Sequence, residues 1–197
     1  MNTLYPTFLK LDQINTLIIG GGDLALEKLS FILKSTPKAK ITLVSINIDP
    51  DVQAILDQNP HINVIQRAFF IEDLNQKQVV IAAVRNDLLI DLIIQKAHLN
   101  NALVNVVDQP DKSDFYLGSI ITRGDLKIAV STNGKAPVLA KRLREVLEET
   151  LPDNTNEILQ NFHSIRQKLT GTFKQRLQSL NELTKILIAK ESEYQNN

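Results

Sequence analysis

Three adjacent glycines open the stretch Gly20-Gly21-Gly22-Asp23-Leu24-Ala25, which fits the pattern G-x-G-x-x-G/A. The chain has only seven glycines in 197 residues, about half the usual share of roughly 7%, so a glycine-poor sequence concentrates them at one point. The chemistry such a point offers is phosphate binding. Gly20 permits a tight turn, Gly22 lets a pyrophosphate approach the backbone, and Ala25 allows close helix–strand packing. Free N–H groups at the start of the following helix then face the phosphates. A tight turn with no ligand is the plain alternative.

A second group, Asn105-Val106-Val107-Asp108-Gln109-Pro110, closes an apolar run. A carboxylate at Asp108 can accept a proton while a hydride leaves; an Asp capping a turn before Pro is the structural alternative. A third group, Ser131-Thr132-Asn133-Gly134, leads through Lys135 and Ala136 to Pro137. It can bind a substrate carboxylate through helix N-terminal N–H groups, or simply cap the helix that Pro137 opens.

The elements that must position these groups alternate in kind. Apolar, β-branched runs at Ile14–Ile19, Ile41–Ile46, Ile62–Gln66, Val79–Val84 and Leu103–Val107 predict strands. Between them, Asp23–Lys34, Pro50–Gln58 and Asn86–Leu99 have helical period. Near-continuous apolar strands separated by helices imply an α/β fold, a Rossmann-like parallel sheet covered on both faces. In such a sheet ligands bind at the carboxyl ends of the strands, which puts Asp108 beside the far end of a dinucleotide held by the glycines.

After Pro110 the pattern changes. Phe115–Thr122 and Leu126–Ser131 predict two strands of a hairpin turning at Arg123-Gly124-Asp125, followed by a helix from Pro137 to about Thr150 that Pro152 stops. From Asn154 to about Lys190 apolar residues step by three or four, with Gly171 dividing or bending the helix. A helical pair packing its apolar face on the rest is favoured over a coiled coil, because the heptads are irregular. The expected parts are residues 1–112, a dinucleotide-binding domain; 113–152, a hairpin with its helix; and 153–197, a helical domain ending in a polar tail.

Composition narrows the function. Twenty-two Lys plus Arg balance 22 Asp plus Glu, which argues against a nucleic acid or an anionic membrane surface as partner. The absence of Cys removes thiol nucleophiles, thiolate metal sites and disulfides together. His61, His98 and His163 have no metal-ligand spacing, so no metal site is expected. With no basic stretch before an apolar run at the N-terminus and no long uncharged apolar span, the expectation is a soluble, cytoplasmic protein.

The acidic residue that usually holds the adenosine ribose is missing where Val44, Ser45, Ile46 and Asn47 end the second strand, and no Arg stands there for a 2′-phosphate. Asn47 or the Ile46 backbone could serve the ribose, so NAD is favoured over NADP.

Taken in order, Tyr5-Pro6-Thr7-Phe8-Leu9 with Leu11, the Gly-Gly-Gly-Asp stretch with Glu27-Lys28, Asn105-Val106-Val107-Asp108, and the run from Ile128 to Arg144 resemble the precorrin-2 dehydrogenases. These also form the N-terminal part of bacterial sirohaem synthases. The resemblance covers Tyr5 to about Pro152; the C-terminal helices match in kind only. It implies a Rossmann domain, a central dimerisation unit and a helical C-terminal part, and hence a homodimer. It also implies NAD-dependent oxidation of precorrin-2, a tetrapyrrole, to sirohydrochlorin, with ferrous iron insertion as a further activity of some members. Carried over by motif, Asp108 is the catalytic carboxylate, Asp23 and Leu24 meet the pyrophosphate, Ile46 and Asn47 meet adenosine, and Ala83, after the fourth strand, matches on the cofactor side.

Precorrin-2 carries eight carboxylates, so its pocket should present cations. Arg123, Lys127, Lys135, Lys141, Arg142 and Arg144 cluster around the hairpin and helix, with Lys135 favoured beside Thr132, Asn133 and Gly134; a solvated face paired with Glu145, Glu148 and Glu149 is the alternative. Two departures stand out: Thr132 where some relatives carry Ser, and Val84-Arg85-Asn86 in place of an Ala-Thr-Asp-like turn. Arg85 could pair a phosphate or lie in solvent. Iron insertion would rely on Asp108 and the tetrapyrrole's own nitrogens, and methylation would belong to another enzyme. The competing reading is a non-catalytic NAD-sensing regulatory module; a chelatase that has lost oxidation is a third.

Overall fold

The computed structural model describes residues 4–184. Its first part is a five-stranded, wholly parallel sheet in the order β3-β2-β1-β4-β5. The strands are β1 (Thr16–Ile19), β2 (Ile41–Ser45), β3 (Asn63–Gln66), β4 (Val79–Ala82) and β5 (Leu103–Val106), joined by helices α1 (Asp23–Ser35), α2 (Pro50–Gln58) and α3 (Asp87–Leu99). The α/β expectation therefore holds. The strands are shorter at their ends than the apolar runs that predict them, because Ala83, Val84 and Val107 already belong to the turns that carry the site.

Alternation along the strands splits the core in two. Ile18, Leu43 and Ile81 face one side with Leu29 and Ile32 of α1 and Val52 of α2. Leu17, Ile19, Val44 and Val80 face the other with Ile90, Ile93 and Ala97 of α3. Each large buried side chain contributes about 1.5–3 kcal/mol, so the sheet is a stiff platform for the turns at its carboxyl edge.

One predicted strand is corrected. The hairpin comprises β6 (Ser119–Arg123) and β7 (Leu126–Val130), and the residues from Phe115 to Gly118 are not its beginning. The reason lies one step earlier in the chain. The segment from Ser113 folds back along β5, where the Asp114 carboxylate accepts from the Val104 N–H at 2.8 Å, the Ser113 hydroxyl accepts from the Val106 N–H at 2.9 Å, and the Asp114 N–H donates to the Val104 carbonyl at 2.8 Å. His98 reaches the same carboxylate at 2.8 Å, and the Asn105 amide donates to the Phe115 carbonyl at 2.8 Å. These side chains satisfy the outer edge of β5.

Helices α4 (Pro137–Thr150), α5 (Thr155–Lys168) and α6 (Phe173–Thr184) complete the described chain. Gly171, at φ +103°, separates α5 from α6, and the predicted continuation to Lys190 lies outside the described residues. Among the described residues, backbone contacts gather into two compact units, residues 4–120 with 129–144 and residues 121–128 with 145–184. The second unit holds the hairpin turn, where Gly124 is at φ +57° and Asn156 fills the space a Cβ would need. It also holds an apolar groove of about 610 Å³ flanked by Ile158, Phe162 and Leu180. His163 is bonded to Gln167 within α5 at 2.9 Å.

Candidate active site

The chain runs from β1 outward to β3 and then returns to place β4 on the other flank of β1. A crevice opens where the strand order reverses, at the carboxyl ends of β1 and β4. The glycines stand there. Gly20 has φ +122°, and a Cβ on it would overlap the Ala83 carbonyl; Gly20 is thus required by the close approach of the two turns. A Cβ on Gly21 would overlap the Asn47 carbonyl and lie 2.9 Å from the Ser45 hydroxyl. Both glycines are filled against protein.

Gly22 differs. Its backbone is extended, at φ −99°, and a Cβ would meet nothing nearer than the Asp49 carboxylate at 3.5 Å. No packing inside the protein calls for glycine here, and the open space in front of it is a cradle a dinucleotide phosphate could fill. The residues present fit that group. Leu24 is buried in the core, so only its backbone N–H could face a phosphate. Ala25 is wholly buried, as close helix–strand packing demands.

Asp49 is a residue the strand-end reading missed. It lies beyond the end of β2, yet its N–H donates to the Gly21 carbonyl at 2.8 Å, which draws it back to the glycine turn. A carboxylate so placed suits ribose hydroxyls and disfavours a 2′-phosphate. Ile46 and Asn47 are exposed at the same rim, and the Asn47 carbonyl is held by the Ser45 hydroxyl at 2.7 Å.

Arg85, on the turn after β4, reaches across the crevice to Asp23. Its two terminal nitrogens donate to the two carboxylate oxygens at 3.0 and 2.6 Å, with both side chains largely exposed. The Arg85 guanidinium holds the Asp23 carboxyl below its ordinary value, and the Leu24 N–H adds to this while burial opposes it. Asp23 in turn raises Arg85, and the charge of Asp108 adds to that effect. Ala83, buried, closes the back of the crevice, its N–H donating to the Ile19 carbonyl at 2.8 Å.

Asp108 follows β5 with φ +61°, an uncommon backbone state for a residue with a side chain. It is exposed and lines a cavity of about 740 Å³ lying wholly within the first unit, a volume typical of small-molecule sites. Thr132 and Gly134 line the same cavity from the loop before α4. Asn133 (φ +56°) and Gly134 (φ +72°) are consecutive left-handed residues, and the Thr132 hydroxyl accepts from the Ala136 N–H at 3.2 Å. Asn133 and Lys135 are not among the lining residues.

The cations on the wall are Lys141 and Arg144 of α4 together with Lys28 and Lys34 of α1, with Glu27 on the same wall paired to Lys28 at 2.7 Å. Lys28 and Lys34 escaped sequence reasoning because α1 reads as a cofactor helix. Asn105, nearly buried on the same wall, leaves its amide oxygen without a protein partner. Among the described residues no three of His, Cys, Asp and Glu gather as metal ligands, and no helix is long and apolar enough to cross a membrane.

A glycine turn at the switch point of a parallel sheet, with an open Gly22 and the Asp49 carboxylate beside it, defines a dinucleotide-binding Rossmann domain. The chain belongs to the NAD(P)-binding family whose model matches residues 7–119. A second family model, for the central part of sirohaem biosynthesis proteins, matches residues 123–150. The chain is 36% identical over 169 residues to a siroheme synthase of Pseudoalteromonas translucida, covering 86% of this chain and 35% of that protein. It is 40% identical over 149 residues to one from Psychromonas ingrahamii, covering 75% and 30%. The chain thus spans about a third of the length of these relatives. Among solved structures it is similar to SirC, a precorrin-2 dehydrogenase, with a TM-score of 0.74, 22% identity and coverage of 91% of this chain and 89% of that one; that likeness shows the fold.

Proposed function

We propose that this chain is an NAD-dependent precorrin-2 dehydrogenase of sirohaem biosynthesis. The carrying observation is Asp108, set at the end of β5 on the wall of a cation-lined cavity and close enough to Arg85, on the rim of the dinucleotide crevice, for its charge to be felt there. Bound NAD would accept a hydride from the substrate, and the accompanying proton goes to the Asp108 carboxylate. Loss of that pair leaves sirohydrochlorin, so atoms and electrons balance. Gly20, Gly22 and the backbone N–H groups of Asp23 and Leu24 hold the pyrophosphate end, while Asp49, Ile46 and Asn47 receive the adenosine and favour NAD over NADP. Lys28, Lys34, Lys141 and Arg144 face the substrate carboxylates, and the Thr132–Gly134 loop adds backbone N–H groups.

We also propose a cytoplasmic homodimer, in which residues 113–152 act as the dimerisation unit and residues 153–197 as a helical domain. Its support is α4, whose Val138, Leu139, Leu143, Val146 and Leu147 are all exposed, an apolar stripe of the kind that marks an interface. The deciding experiment is anaerobic turnover of precorrin-2 with NAD or NADP, followed by ferrous iron. NADH should form with NAD, and D108N should lower turnover by about 10²-fold or more while leaving NAD affinity unchanged. Undiminished turnover by D108N would remove Asp108 from the mechanism. Tight NAD binding without any oxidation would favour a regulatory NAD sensor, and iron insertion without NAD would favour a chelatase.

A further inference from the structure

The first residue of α1 poses an electrostatic problem. Helix N-termini attract phosphate because their free N–H groups carry a partial positive charge of about half a unit. Asp23 sets a full negative charge on that end. A pyrophosphate brings further negative charge to the same turn, so Asp23 alone would repel the ligand that the glycines are shaped to admit. Arg85 meets Asp23 from the opposite lip of the crevice, 62 residues away in the chain, with a two-pronged contact. A guanidinium has more donors than the two engaged here, so it can keep Asp23 and still offer N–H groups to a phosphate oxygen.

We propose that Arg85 is the counter-ion that makes the glycine turn competent for a pyrophosphate, and that its role is to cancel Asp23. The inference rests on the NAD(P)-binding assignment and adds a residue to it. Both side chains are largely exposed, so the pair adds little to the stability of the fold and stands where an approaching ligand can reach it.

The test uses the full chain, with NAD and ADP-ribose as probes in titration calorimetry and thermal melting as a check on folding. R85Q should weaken both probes roughly tenfold at low salt, with an unchanged melting temperature. D23N should bind at least as tightly as the wild type. The double variant D23N/R85Q should recover most of the loss, since the repelling charge is gone with its partner. R85Q binding like the wild type would overturn the proposal, and so would a double variant as weak as R85Q. If the wild type itself binds neither probe, the dinucleotide reading falls; if it binds and R85Q is unaffected, only the role of Arg85 falls.

Discussion

Gly20 and Gly22 lie two residues apart in one turn, yet alanine should act on them in opposite ways. At Gly20 the backbone is held at φ +122° and the new Cβ overlaps the Ala83 carbonyl. Backbone strain of this kind costs about 1–3 kcal/mol and forced overpacking a similar amount. Alanine regains roughly 0.4–1 kcal/mol by restricting the unfolded chain. A net loss of about 3 kcal/mol is expected for G20A, a large part of the roughly 5–15 kcal/mol that stabilises a domain. At Gly22 the backbone is extended and the nearest atom to a new Cβ is 3.5 Å away. G22A should therefore match the wild type within about 0.5 kcal/mol, while its methyl group stands where the pyrophosphate must approach. Urea unfolding followed by circular dichroism reads the first effect as a midpoint lowered by about 1 M or more. Calorimetric titration with NAD reads the second as an affinity loss of about tenfold or more in G22A. A stable G20A would refute the close-approach argument, and a G22A that binds NAD normally would refute the placement of the ligand.

Two further outcomes can be measured. Asp73 accepts from both terminal nitrogens of Arg67, at 2.8 and 2.7 Å, and from the Phe70 N–H at 2.9 Å, and the Arg67 hydrogen bonds hold its carboxyl below the ordinary value against the opposing effect of burial. A carboxyl lowered in the folded state adds stability above its unfolded value and loses it as pH falls through the folded one; D73N should cost about 2 kcal/mol at neutral pH, and the deficit should shrink below about pH 4 when urea midpoints are compared. Replacing Leu143 and Val146 on the exposed face of α4 by Glu should convert the proposed dimer to a monomer in sedimentation velocity, with a melting temperature that no longer rises with protein concentration; a variant that stays dimeric would move the interface elsewhere.

Much of the platform was legible because its signals are local. Pro50 at the first turn fixes α2 at the predicted residues Pro50–Gln58, and the apolar runs fix five parallel strands. The start of β6 was not legible, since Phe115 and Leu117 look like strand residues until Ser113 and Asp114 are seen bonded to β5. The site divides in the same manner. Gly20, Gly22 and Asp108 announce themselves by type and neighbours, whereas the Asp23–Arg85 pair joins two turns that only the sheet brings together. Asp49 was hidden because its approach to Gly22 depends on a backbone bond to Gly21. Lys28 and Lys34 were hidden because one helix serves two clefts.

The return of residues 113–116 along β5 bears on how copies of this chain can associate. A strand whose outward amides already bond Asp114 and Ser113 gives a stray extended segment nothing to zip onto. Runaway growth of the sheet is barred on that flank, and the opposite margin, β3, where Asn63 and Val64 are exposed, is left as the edge from which cross-strand aggregation would start.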